Sequence, residues 1–432
     1  MKMLLAILTR LLLLTKLSDA LASPFPVVSP GKGLSVYDEA EPMLYAAKLV
    51  YDFADVVKAA RKEEFKLNYT ESVTEDVIQQ FQDESCDFRG LNGNPDGLPF
   101  LDVIELLKKN EAGIGKITLT NEEENIREVI GNILRHENED NNQIFISTFR
   151  SIQQKVSCVY GVIKDKRNKR IIVTFRGSKN PDFSTRDWRT NFNAALAEMQ
   201  TPPLIRDKMK GNLKDRVLVH RGFYNYLFEN ERIEKQRDDL IRKDIKPLIE
   251  DEEEDYSVYV TGHSLGGALA TIFSFELAGR NDLNWLPRPV TAITYASPLN
   301  GSPGYRTAFE KCEQEGLLRH LRINVAEDVV PTIPPFSLGF TRRALKHVGI
   351  NLRLNGNKSY SIHHSTNGSF GSAVKNSIFK PVWNALKYHM LPEHYDRLKD
   401  NEDDIEKLSI DDLYQDISVV SKDFSEGFKV LS

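Results

Sequence analysis

One serine between two glycines is the part of this sequence best suited to covalent chemistry. The segment GHSLG, residues 262–266, places Ser264 between Gly262 and Gly266. The run SVYVT precedes it and the run GALATIFSFELA follows it, which is the strand–turn–helix context of a nucleophile elbow. Glycine relieves backbone crowding in so tight a turn. We therefore predict that Ser264 is a nucleophile held at the tip of this turn.

A nucleophilic serine needs a base, and the base needs an orienting carboxylate. After an elbow of this type the acid and then the histidine follow in chain order. The best acid is Asp328, which follows the strand-like run LRINVA in a loop, where the carboxyl ends of parallel strands gather functional residues. Its neighbour Glu327 has a longer side chain and is the second choice.

The histidine is less well determined by chain order. Of the nine histidines, those that follow the acid are His347, His363, His364, His389 and His394. His389 lies in KYHMLPEHYDRL, just before a helix-like stretch. Order alone leaves all five residues open as the base.

Short β-branched runs and helical patterns must position these residues. The runs CVYGVIKD and KRIIVTF, joined by a charged turn, indicate a hairpin. Further on, RVLVHRGF, SVYVT, VTAITYA and LRINVA alternate with helical patterns at 229–250, 266–279 and 305–315. This alternation predicts an α/β fold, with helices flanking a largely parallel sheet.

The chain divides into four predicted segments. Residues 1–22 contain Lys2, an apolar stretch and the small-residue pattern Ala-Leu-Ala, and are expected to form a secretory signal peptide. Residues 35–150 are expected to form a helical N-terminal extension, and residues 151–400 the catalytic domain. Residues 401–432 are acidic and sparsely apolar, which predicts a loosely attached tail.

Composition narrows the class of partner and the compartment. The 432 residues are 41% hydrophobic and 28% charged, with a formal net charge of −5, so nothing favours nucleic-acid binding, which usually requires a basic surface. No segment after the leader reaches the roughly 20 apolar residues of a membrane-spanning helix. We expect the mature chain to be secreted or to enter the secretory pathway, with organelle targeting as the alternative.

Six motifs in sequence resemble one known family. In chain order, VTFRGS, VHRGF, GHSLGG, YASP, NVAEDVVP and KHVG resemble the class 3 lipases, the fungal-type triacylglycerol lipases with the α/β-hydrolase fold, over about residues 150–400. The resemblance implies Ser264 as nucleophile and Asp328 as acid. It favours His389 as base, with His394 as the alternative. It implies a structural part for His347, and no metal or cofactor.

The resemblance also implies an oxyanion hole and a lid. Ser178, in FRGS, would donate to the oxyanion together with the backbone N–H of Leu265, which lies at a helix start where N–H groups are unpaired. Four apolar residues in DWRTNFNAALAEM recur at helical spacing and could form the apolar face of a lid. These are Trp188, Phe192, Leu196 and Met199. A core-packing helix or part of a strand is the alternative.

The expected function is hydrolysis of lipid acyl esters by a secreted serine hydrolase resembling triacylglycerol lipases, with transient contact at a lipid–water interface. A phospholipase, a galactolipase or a soluble carboxylesterase of the feruloyl type is the alternative among enzymes. A non-catalytic binding or signalling protein that retains the fold is the alternative of another class.

Overall fold

In the computed structural model, a mixed β-sheet lies between two layers of helices. The structure describes residues 33–60, 143–150, 157–165, 168–178, 195–209, 216–250, 255–332, 345–364 and 387–414. The strands are β1 (Gln143–Arg150), β2 (Ser157–Asp165), β3 (Arg170–Phe175), β4 (Leu196–Glu198), β5 (Leu218–His220), β6 (Ser257–His263), β7 (Val290–Tyr295), β8 (Leu318–Val325), β9 (Ile350–Asn355) and β10 (Ser359–His364).

The helices follow the same chain order. They are α1 (Val36–Ala60), α2 (Pro203–Arg206), α3 (Arg221–Phe228), α4 (Glu231–Asp239), α5 (Lys246–Glu250), α6 (Leu265–Gly279), α7 (Pro303–Gln314), α8 (Leu391–Asp400) and α9 (Glu402–Ile405). A π-helical stretch, Leu240–Ile245, joins α4 to α5. The helix predicted over 229–250 is therefore present, with one wider turn inside it.

The main sheet has eight strands within the described residues, in the order β1-β2-β3-β6-β7-β8-β9-β10. Strands β3, β6, β7, β8 and β9 run parallel to one another. Strands β1 and β2 at one end of the sheet and β10 at the other pair antiparallel. The predicted hairpin is β2–β3. The predicted α/β class and the mostly parallel sheet are thereby confirmed.

Strand β6 lies in the middle of this sheet and is buried along its whole length. Val258 and Val260 pack into the core on the side of α6, while Tyr259 packs into the core on the side of α1. Burial on both faces is typical of a central parallel strand, and it explains the continuous apolar run that precedes Ser264. Ser264 therefore follows a strand that is enclosed on both faces.

Helix α1 covers the face of the sheet opposite α6. It begins with a capping box, in which the Ser35 hydroxyl accepts from the Asp38 N–H and the Asp38 carboxylate accepts from the Ser35 N–H. Val36, Ala40 and Met43 recur at helical spacing and are fully buried against the sheet. This helix is part of the core, so residues 36–60 are not a separate extension.

Two predicted segment boundaries are wrong. Residues 143–150 form the edge strand β1, so the sheet begins before residue 151 and the preceding segment is not helical throughout. Residues 401–414 are not a loose tail, because Ile405 and Ile410 are 0% and 1% exposed and the Leu408 carbonyl accepts from the Val36 N–H. The few apolar residues of this segment are enough to attach it, because they pack against the core on the α1 side of the sheet. Residues 1–22 and 415–432 lie outside the described residues.

Two short strands form a second, smaller sheet. Strand β5, from the predicted run RVLVHRGF, pairs with β4 in a separate two-stranded sheet and does not join the main one. In the part of the chain that the structure describes, no helix is long and apolar enough to cross a bilayer.

The burial of Ile405 yields a prediction about the end of the described chain. Ile405→Ala should lower the free energy of unfolding by roughly 2–5 kcal/mol, because it removes a fully buried side chain and leaves a cavity. Asp403→Ala, on the exposed face of the same short helix, is the matched control and should change it little. Urea denaturation measures both, and equal stabilities would mean that residues 401–414 are attached as loosely as their composition suggests.

Candidate active site

The turn between β6 and α6 has the geometry of a nucleophile elbow. Ser264 has φ 59° and ψ −125°, outside the ordinary regions for a residue with a side chain. The Ser264 N–H donates to the Tyr295 carbonyl of β7, and its carbonyl accepts from the Ala268 N–H of α6. These bonds hold the strained residue in place, as expected where strain belongs to a functional site.

The two glycines of the motif are required by close backbone contact. A Cβ on Gly266 would overlap the Phe175 carbonyl of β3, and a Cβ on Gly262 would overlap the Gly266 carbonyl. Helix α6 therefore starts directly against β3, closer than any side chain would allow. This contact aims the helix N-terminus and the Ser264 side chain at the same edge of the sheet.

Three side chains form one hydrogen-bonded series at that edge. The Ser264 Oγ lies 2.9 Å from His389 Nε2, and His389 Nδ1 lies 2.9 Å from Asp328 Oδ2. The carboxylate accepts from Nδ1–H, so Nε2 is unprotonated and can accept the serine proton. All three residues are at most 5% exposed. The structure thus brings together the serine, the first-choice acid and the histidine named from sequence.

The loop after β8 fixes the acid. The second carboxylate oxygen of Asp328, Oδ1, accepts from the Val330 N–H at 2.9 Å. One turn further on, His347 Nε2–H donates to the Pro331 carbonyl at 2.6 Å. Burial, reinforced by the charge of Arg322, holds the pKa of His347 well below its usual value. His347 therefore stabilises the acid loop as a neutral group, which agrees with the structural part that the resemblance implied.

The rival acid Glu327 points elsewhere. Its Oε2 accepts from Arg397 Nη1 at 2.8 Å, and Arg397 Nε donates to Glu393 in the same helix, α8. The Arg397 guanidinium also lies 5.3 Å from the centre of the Tyr388 ring. Arg397 thus contacts the residue before Asp328 and the residue before His389, and Glu327 serves as its partner rather than facing the histidine ring.

The alternative histidine, His394, lies on the buried face of α8. His394 is fully buried, and its Nδ1–H donates to the Met390 carbonyl. Burial lowers the pKa of His394 to about 4, so the ring is neutral near pH 7. Because Ser264 and Asp328 both bond to His389, the geometry selects His389 over His394.

The two oxyanion candidates flank the elbow. Leu265 is the first residue of α6, where the backbone N–H has no partner within the helix. Ser178 is partly buried and follows Gly177 at the carboxyl end of β3. A Cβ on Gly177 would meet the His263 carbonyl, so the FRGS segment runs directly alongside the elbow.

The lid prediction is wrong for two of its four residues. Leu196 lies in β4, a strand, and Met199 is 4% exposed and packs in the core on the α6 side. The helical spacing failed here because pairing with β5 holds residues 196–198 extended. Trp188 and Phe192 lie outside the described residues, so their part in a lid stays a prediction.

Two side chains near the site had no role in the sequence analysis. Tyr51 of α1 donates to Nδ1 of His263, and Nε2 of His263 lies 2.6 Å from the His389 carbonyl. His263 stands inside the GHSLG motif, directly before Ser264. Tyr51 lies 212 residues from its partner, a separation at which sequence patterns carry no contact information. Among the described residues, no group of three metal-ligating side chains lies close enough to hold a metal ion.

Comparison with known proteins identifies the central part of the chain. The sequence model of the family "Lipase (class 3)" matches residues 172–338. This region is a class 3 lipase domain. It contains Ser264 and Asp328 and ends before His389, so His389 is connected to them by its hydrogen bonds and not by the family match. The predicted family is confirmed for this region, and the mostly parallel sheet flanked by helices fits the predicted α/β-hydrolase fold.

Plant lipases are among the relatives that match. A rice (Oryza sativa subsp. japonica) protein named phospholipase A1-II 6 is 36% identical over 38% of this chain and 40% of its own length. Phospholipase A1-IIgamma of Arabidopsis thaliana is 32% identical over 38% of each chain. Triacylglycerol lipase OBL1 of the same plant is 25% identical over 48% of this chain and 42% of its own. This chain spans about two fifths of the length of these relatives.

A solved structure with a similar fold is lipase II from Rhizopus niveus. It is 21% identical, with a TM-score of 0.41, and covers 61% of this chain and 87% of its own.

The tight start of α6 yields a prediction for the elbow. Gly266→Ala should lower the free energy of unfolding by roughly 1–3 kcal/mol, because the added methyl group forces α6 away from the Phe175 carbonyl. The displacement should also reduce the rate at which a fluorophosphonate labels Ser264. Gly356→Ala, where an added Cβ meets only ordinary contacts, is the control. Normal stability and labelling in Gly266→Ala would show that α6 can shift without cost.

Proposed function

We propose that this protein is a serine hydrolase that cleaves acyl esters of lipids through a covalent acyl-enzyme. The observation that carries the proposal is the hydrogen-bonded series Ser264–His389–Asp328 at a strained strand-to-helix turn. The class 3 lipase domain over residues 172–338 supports the lipid ester as substrate. The completeness of the series supports an enzyme over a non-catalytic binding protein.

In the proposed acylation step, Ser264 Oγ attacks the ester carbonyl while His389 Nε2 takes the hydroxyl proton. The new C–O bond moves an electron pair onto the carbonyl oxygen, which becomes an oxyanion. Asp328 holds the ring with Nδ1 protonated and stabilises the imidazolium that forms. The Leu265 N–H and the backbone and hydroxyl of Ser178 are our candidates for donors to the oxyanion.

The intermediate then collapses and breaks the bond to the alcohol. His389 returns its proton to the departing alkoxide, so that a lyso-lipid or partial glyceride leaves as a neutral alcohol. A water molecule repeats the sequence on the acyl-Ser264 ester, with His389 again as base, and releases the fatty acid. The bonds and protons balance without a metal or a cofactor.

The lipid class is the finer part of the proposal. Relatives named as phospholipases A1 share 36% and 32% identity with the matched region, whereas the one named triacylglycerol lipase shares 25%. We therefore place diacyl phospholipids first, ahead of galactolipids and triacylglycerols. We further propose that the reaction takes place outside the cytosol, on the sequence of residues 1–22 alone.

The function is tested with the full chain on matched lipid panels. Fatty acid released from phosphatidylcholine, monogalactosyldiacylglycerol and triolein emulsions should rank in that order. Ser264→Ala should lower turnover about a million-fold and abolish labelling by a fluorophosphonate. An unmodified protein that is folded, unlabelled and inactive on all three lipids and on p-nitrophenyl butyrate would refute the proposed activity.

The choice of acid makes a separate prediction. Asp328→Asn should lower kcat about 10⁴-fold, because the amide no longer holds His389 in the tautomer that accepts the serine proton. Glu327→Gln alters the adjacent carboxylate, which bonds to Arg397, and should lower kcat less than about tenfold, since Glu327 does not orient the base. Kinetics on p-nitrophenyl butyrate compare the two. A larger loss in Glu327→Gln than in Asp328→Asn would reverse the assignment.

A further inference from the structure

The backbone of His389 is held by a side chain that the proposed chemistry does not use. His263, the residue before the nucleophile, is 5% exposed, and its Nε2 lies 2.6 Å from the His389 carbonyl oxygen. A carbonyl only accepts, so Nε2 carries the proton and donates. The two imidazole rings lie 4.6 Å apart, centre to centre. His263 therefore holds the backbone of His389, whose ring bonds to both Ser264 and Asp328.

His263 is in turn oriented by the N-terminal helix. With Nε2 protonated, the neutral ring offers Nδ1 as an acceptor, and the Tyr51 hydroxyl donates to it at 3.1 Å. Burial first, and then the nearby rings of His389 and His394, hold the pKa of His263 well below its usual value. The ring is thus neutral at the pH where an ester hydrolase of this type works, and this tautomer persists. A charged ring at this position would also oppose the imidazolium that forms on His389.

The Tyr51 hydroxyl has a second contact. Its oxygen lies close against Gly177, where an added Cβ would overlap it. Gly177 precedes Ser178, the oxyanion candidate. One hydroxyl of α1 thus packs against the segment that leads into the candidate oxyanion hole, and it is connected through His263 to the backbone of the proposed base.

We infer that Tyr51 and His263 are positioning residues, which hold the His389 backbone at the distance from Ser264 that proton transfer requires. The inference rests on the proposed function and extends it. The His389 ring makes two bonds of 2.9 Å to residues 61 and 125 positions away in the chain, so a small backbone shift breaks at least one of them. A misplacement of about 1 Å costs on the order of a hundredfold in rate.

The experiment removes each bond while keeping the shape of the side chain as far as possible. Tyr51→Phe deletes one hydroxyl. His263→Leu deletes the donor to the His389 carbonyl, and His263→Gln keeps an N–H donor at about the same reach. Tyr37→Phe is the matched control, because Tyr37 is a buried tyrosine on the same helix whose hydroxyl bonds to Glu41, away from the site.

We expect kcat on p-nitrophenyl butyrate to fall about tenfold in Tyr51→Phe and about a hundredfold in His263→Leu, with KM within about twofold of the unmodified value. His263→Gln should recover most of the loss seen in His263→Leu, which a purely structural role would not produce. Tyr37→Phe should match the unmodified protein. If His263→Leu does not fold, Tyr51→Phe and His263→Gln still decide the question.

A double variant tests whether Tyr51 acts through His263. In the His263→Leu background, Tyr51→Phe should cost clearly less than it does alone, since the bond it removes is already absent. An active unmodified protein whose Tyr51→Phe variant has the same kcat would overturn this inference and leave the proposed function standing. Full additivity of the two losses would also overturn it. An unmodified protein that is inactive and unlabelled would overturn the proposed function itself.

Discussion

The close contact between the start of α6 and the end of β3 is the constraint on which the site depends. Because Gly262 and Gly266 have no side chains, the helix begins directly against the Phe175 carbonyl. This approach forces the left-handed conformation of Ser264 and aims the helix N-terminus at the space in front of the serine hydroxyl. The proposed nucleophile and the proposed oxyanion donor therefore depend on a single backbone arrangement, next to a strand that is buried on both faces.

The remaining residues of the site come from loops at the same edge of the sheet. Asp328 follows β8, and His389 precedes α8, which packs on the face covered by α1. Arg397 connects the two, since it binds Glu327 beside the acid and lies over Tyr388 beside the base. The positions of Asp328 and His389 are thus stabilised by contacts of their sequence neighbours, in addition to the hydrogen bond between them.

Both ends of the described chain enclose one face of this sheet. Helix α1 and residues 401–414 pack together there, and Arg319 of β8 connects them, because it forms a buried ion pair with Glu39 of α1 and bonds to the half-exposed Asp411 near the C-terminal end. A buried charge without its partner is strongly destabilising, whereas an intact pair adds little net stability. The pair therefore specifies how the two ends pack more than it strengthens the fold. Helix α1 reaches the site through Tyr51 and is part of its support.

Local patterns in the sequence were enough to predict the secondary-structure elements and the tight strand-to-helix turn at Ser264. Period-two runs, helical spacing and the two glycines of GHSLG act over a few residues, and so the α/β class, the parallel sheet and the elbow could be predicted. Chain order and loop position also named Asp328 first. The helix predicted through Leu196 and Met199 failed because pairing with a strand more than 20 residues later overrode its periodicity.

Contacts between distant segments were decided by the tertiary structure alone. Five histidines follow the acid in the sequence, and only the packing of α8 on the sheet brings His389 within 2.9 Å of Ser264, 125 positions away, while turning His394 inward. The tertiary packing also pairs Glu327 with Arg397 and places Tyr51 within hydrogen-bond distance of His263. It buries residues 405 and 410 as well. Such hydrogen bonds require donor and acceptor to be placed to within a few tenths of an ångström. The packing of helices on the sheet achieves this placement, and the spacing of residues along the chain does not reveal it.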